Sequence, residues 1–82
     1  MKLQLFNGHF TAQDALDMLT KMTQIKVGYH ERQISASDNE EDIKWREKRI
    51  KDLQRDLQEA RQYIAQHQQN GVRLEADVVV AD

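Results

Sequence analysis

Apolar positions change their period three times along this chain of 82 residues. Lys2 to Phe6 alternates, with Leu3 and Leu5 set on one face, which predicts a short strand over about 2–6. Asn7-Gly8 follows as a tight-turn pair. From Ala15 the spacing becomes three and four: Met18, Met22, Ile25 and Tyr29 form one stripe, widened by Ala12, Leu16 and Leu19. That is an amphipathic helix over about 12–34, capped by Thr11 with Asp14 in its first turn. Gly28 sits inside it and marks a close helix contact, a kink or an early fray.

Residues 35–42, SASDNEED, break the pattern, and Ser37 with Glu40 reads as a second capping box. A helix over about 39–69 then carries a heptad repeat. Ile43, Ile50, Leu57 and Ile64 fall seven apart, and Arg46, Leu53, Ala60 and His67 fill the positions three later. Asn70-Gly71 is the stop, with Gly71 available for the left-handed cap. Beyond it Val72, Leu74, Ala76 and Val78 alternate with Arg73, Glu75 and Asp77, a strand over about 72–80.

These elements define a single domain of mainly α class: an antiparallel two-helix hairpin with a short β-strand at each terminus. Two helices bury only one seam between them. The wide stripe of the first and the seam of the second therefore predict that two hairpins associate, as a dimeric four-helix bundle. Met18, Met22, Ile25, Ile43, Ile50, Leu53, Leu57 and Ile64 are the expected association seam.

Composition sharpens this picture. Hydrophobic residues are 39% and charged residues 32% of the chain, lean for a stable core. There is no cysteine, so a disulfide cannot staple a scaffold this small, and a partner chain is the remaining source of stability. The formal charge of −2 gives no global pull toward nucleic acid or an anionic membrane. The apolar start is too short for a signal peptide, so a cytoplasmic protein with no membrane contact is expected.

Candidate chemistry is sparse. Trp45 lies off the heptad seam. The row through it runs Arg49, Asp52, Asp56, Glu59 and Tyr63, with an aromatic at each end. Trp45, Arg49 and Tyr63 make an outer interface or, alternatively, Trp45 packs on the first helix near Ile34. Arg46 is a polar intrusion in the seam that either fixes register, with Asp42 as partner, or reaches water. Lys44, Lys48, Lys51 and Arg55 line one outward helix stripe. This is a solvated face or a polyanion-binding strip, and Glu47 and Asp52 interrupt it. His9, His30 and His67 have no metal-ligand spacing, and no nucleophile motif or phosphate loop is present. The expectation is therefore no catalysis, no metal and no cofactor. The expected role is that of a small structural or adaptor protein acting by homodimeric association. The alternative is a nucleic-acid-associated or regulatory module using the basic stripe.

Overall fold

A computed structural model describes residues 1–82. The chain runs β1 (Lys2–Phe10), α1 (Ala12–Ala36), α2 (Glu40–Ala65) and β2 (Val72–Val79). It is mainly helical, with the two strands paired antiparallel in one ribbon within the chain.

Thr11 caps α1 from extended backbone, its hydroxyl accepting from the Asp14 N–H at 3.1 Å. The cap of α2 is Asn39, not Ser37: its Oδ1 accepts from the Asp42 N–H at 3.1 Å. Ser37 instead closes α1, its N–H donating to Ile34, and its hydroxyl holds the Asn39 N–H. An amide oxygen is as good a cap as a hydroxyl. The three acidic residues Glu40, Glu41 and Asp42 fill the first turn behind either candidate.

The second helix ends at Ala65, short of the expected 69. Gln66 and His67 donate to the carbonyls three residues back, tightening the last turn. The His67 ring nitrogen Nδ1 donates to the Tyr63 carbonyl at 2.8 Å. Gly71, at φ 72°, then turns the chain into β2. The helices are accordingly nearly equal, 25 and 26 residues.

The ribbon differs most from the sequence reading. Asn7-Gly8 is not a turn; β1 continues to Phe10, with Asn7 opposite Glu75 and Gly8 opposite Leu74. Nor do Leu3 and Leu5 share a face. The register shifts between Gln4 and Phe6, leaving Leu5 as a bulge, and Leu3 pairs with Val78. One extra residue reverses the alternation. It places Leu3, Phe6 and Phe10 on the same face as Val72, Leu74 and Val78. The other face is polar: Lys2 bridges Asp77 at 3.5 Å, and Arg73 holds Glu75 and the Asn7 side chain.

Two arms meet at a corner. Helices of this length reach about 38 Å and a nine-residue strand about 30 Å, so end to end they would exceed 60 Å. The Cα atoms span only 48 × 31 × 14 Å, so the ribbon turns away from the hairpin in a plate one helix pair thick. At the corner Ala15, Ile64 and Val72 are buried, with Phe10, Ala12, Leu16, Leu19 and Leu74 packed around them. Ala15 has no exposed surface, and its small side chain lets the ribbon approach the helix. Burying Ile64 there contributes roughly 2–3 kcal/mol.

Candidate association face

The seam set divides into two groups. On α2, Ile43, Arg46, Ile50, Leu53, Leu57 and Ile64 are all at least half-covered, as a face turned toward α1 must be. The matching face of α1 is formed by Leu16, Leu19, Thr23, Val27, His30 and Ile34, again at spacings of three and four. Thr23, Val27, Gln54 and Leu57 line one groove between the helices, and His30 meets Arg46. Met18, Met22 and Ile25 are not in this internal seam. They continue the stripe that begins at the ribbon-covered Ala15, and beyond the corner it has no cover: Ile25 is 73% and Tyr29 42% exposed.

Helical phase puts the Trp45 row on that same side. Trp45, Arg49, Asp56 and Tyr63 lie about a quarter turn from the α2 seam. In an antiparallel pair this is the flank that α1 turns through Met22 and Tyr29. Contacts at the loop end agree: the Arg46 guanidinium lies 5.7 Å from the Tyr29 ring centre and 5.6 Å from that of Trp45. The inner side of the corner therefore carries the α1 stripe, the Trp45 row, and the apolar ribbon face with Leu3 and Val78. Trp45 meets His30 of α1 edge-on at 5.9 Å and Arg46 over its ring, yet stays 54% exposed, so these contacts cover about half of it.

His30 is the residue that sequence reading missed. It is 2% exposed, between Tyr29 and Trp45. Arg46 donates to its Nδ1 at 3.0 Å and also to Asp42 Oδ2 at 3.2 Å. A guanidinium only donates, so Nδ1 is unprotonated and the ring is neutral, with its proton on Nε2. That Nε2 is buried without a partner. Burial, with Lys26, Arg46 and Arg49 nearby, holds the imidazole below its usual pKa; Asp42 opposes this weakly. Thus Arg46 is mostly covered and does not stand alone in the seam, since it bonds both Asp42 and His30. The available signal was the spacing Thr23, Val27, His30, Ile34, which places the imidazole on the inner face.

The basic stripe is exposed but partly neutralised. Asp52 receives Lys48 at 3.3 Å, Arg55 at 3.2 Å and Arg49 at 3.9 Å. The Lys48 hydrogen bond, followed by the charges of Lys48, Arg55 and Arg49, lowers the Asp52 pKa despite its partial burial. Of the four stripe residues, only Lys44 and Lys51 carry no ion pair. His9 and His67 bond backbone carbonyls of Asn70 and Tyr63, and no three His, Cys, Asp or Glu side chains converge as metal ligands. No helix is long and apolar enough to cross a membrane.

Comparison with known proteins returned no matching family, no matching curated protein and no matching solved structure.

Proposed function

We propose that this protein acts by self-association: a small structural or adaptor protein whose hairpins pair as a homodimeric four-helix bundle, without catalysis of its own. One observation carries the reading. The chain exposes 6477 Å², whereas a compact protein of 9.7 kDa exposes about 5100 Å². Its radius of gyration is 15.2 Å against roughly 12 Å for a compact chain of this length. The surplus, on the order of 1300 Å², is what one partner contributes to an ordinary or large protein interface, ~800 Å² or more. Much of it is apolar, since only three hydrophobic residues are buried while Met22, Ile25, Tyr29, Trp45 and Tyr63 stay wet. Patches of this kind on a small protein mark association sites.

Light scattering coupled to size exclusion at micromolar concentration tests this. A particle of twice the 9.7 kDa chain mass is expected. A folded species that stays at the single-chain mass as concentration rises overturns the reading. The basic stripe offers less support for the alternative, polyanion binding, because Asp52 already holds two of its four cations.

A further inference from the structure

We infer that the partner on this face is a second copy turned antiparallel, about a two-fold axis that crosses the hairpin at the level of Gln54 and the Thr23–Gln24 peptide. The inference rests on the homodimer reading and adds its geometry. The α1 stripe runs from Met18 to Tyr29, and its midpoint falls between Thr23 and Gln24. The α2 row runs from Trp45 to Tyr63, and its midpoint is Gln54. Thr23, Gln24 and Gln54 line the same groove, so the two midpoints lie at one level of the hairpin. A perpendicular two-fold at that level serves both helices at once, as an isologous interface requires.

The axis makes the face self-complementary. On α1 it sets Met18 against the partner's Tyr29, and Met22 against the partner's Ile25. On α2 it sets Trp45 against the partner's Tyr63, and Arg49 against the partner's Glu59. Glu59 is exposed and makes no ion pair within its own chain. Arg49 is held only loosely, 3.9 Å from Asp52. Asp52 meets the partner's Asp56, but Asp52 is already compensated by Lys48 and Arg55, and Asp56 lies 3.6 Å from Arg55. Each ribbon falls at the partner's loop end, where the uncovered Leu3 and Val78 gain a neighbour.

The other two-fold, parallel to the helices, is worse. It lays α1 on the partner's α2 at equal levels. Arg49 would then sit on Ile25 and Tyr29, and Asp56 and Glu59 on Met18 and Met22. Charges would be desolvated against apolar side chains, with no opposite charge from the partner and, for Glu59, none from its own chain. The antiparallel axis instead puts grease on grease and Arg49 on the partner's Glu59, with the one like-charged pair, Asp52 and the partner's Asp56, already compensated within each chain.

Charge reversal tests the register. Arg49→Glu and Glu59→Arg each set two like-charged pairs across the axis, and each is expected to weaken the dimer roughly tenfold at low salt. Mixing the two variants restores affinity in a heterodimer, because every reversed position then faces an opposite charge. Sedimentation equilibrium of each variant and of the mixture reads this, with helicity by circular dichroism checking that both substitutions leave the fold intact. Variants that dimerise as tightly as the parent, or that are weakened without rescue on mixing, overturn the axis while leaving self-association standing. A parent protein that is monomeric throughout overturns both.

Discussion

Two glycines have opposite duties. Gly71 sits at φ 72°, and a Cβ there would collide with the Phe10 carbonyl oxygen. Gly71→Ala is expected to destabilise the chain by more than the ~1–2 kcal/mol of the left-handed backbone alone, read as a lower urea midpoint. Gly28 has no such reason to be glycine: an added Cβ would meet only the mobile end of Arg32 at 3.5 Å. Gly28→Ala should raise stability by about 0.4–1 kcal/mol. Asn70-Gly71 at the end of a helical pattern announces a left-handed cap, whereas Gly28 inside a helix left a close contact, a kink and a fray equally open. His30 was equally silent, since a histidine's burial depends on what crosses it. Its neutral state now has a consequence for pH. The folded pKa lies below the usual value near 6.5. The unfolded chain therefore binds a proton first on acidification. The stability from the neutral ring is complete above about pH 6.5 and is lost as pH falls from there toward the folded pKa. Protonation would also turn Nδ1 from acceptor to donor against Arg46. Urea midpoints at pH 7.5 and 5.0 should fall more for the parent than for His30→Gln; equal falls would remove His30 from the account.

At the scale of elements, the start of α2 separates two candidates that the sequence left close. Asn39→Ala removes the oxygen that holds the Asp42 N–H, and about 1 kcal/mol of stability should go with it. Ser37→Ala frees only the N–H of Asn39, which lies outside the helix and is exposed, so a smaller loss is expected. Comparable losses in thermal melts would return the cap to Ser37. Both helices were legible because the three-and-four spacing runs through more than twenty residues of each, too long for chance. The ribbon was less so. Asn7-Gly8 carries the strongest short turn signal, yet it lies paired in mid-strand because β2 supplies eight residues to match. Period two also cannot reveal a bulge. Leu3 and Leu5 look equivalent until the cross-strand partner shows that Leu5 is the extra residue. The internal seam on α2 could be read from its heptads. Which part of the wide α1 stripe faced inward could not, because α1 serves two neighbours, α2 and the ribbon, on adjacent faces.

For the whole molecule, folding and association should be one equilibrium. Only Ala15, Ile64 and Val72 form the buried hydrophobic core of a single chain, too little to offset the entropy of ordering this many residues. The proposed dimer, by drying the inner face, would supply the difference, and mass action would then link stability to concentration. Each tenfold rise in protein adds about 1.4 kcal/mol per dimer, which for two chains of this size moves the melting temperature by roughly 4 °C. Melts between one and a hundred micromolar should show that slope. Ile25→Lys gives the control: the residue is 73% exposed in the single chain, so the change removes little that one chain holds. It should lower the melting temperature at high concentration and flatten the slope, converging on the parent where the parent is dissociated. If the parent melts at one temperature across the range, or if Ile25→Lys is as stable as the parent at a hundred micromolar, the inner face is not what holds the fold together.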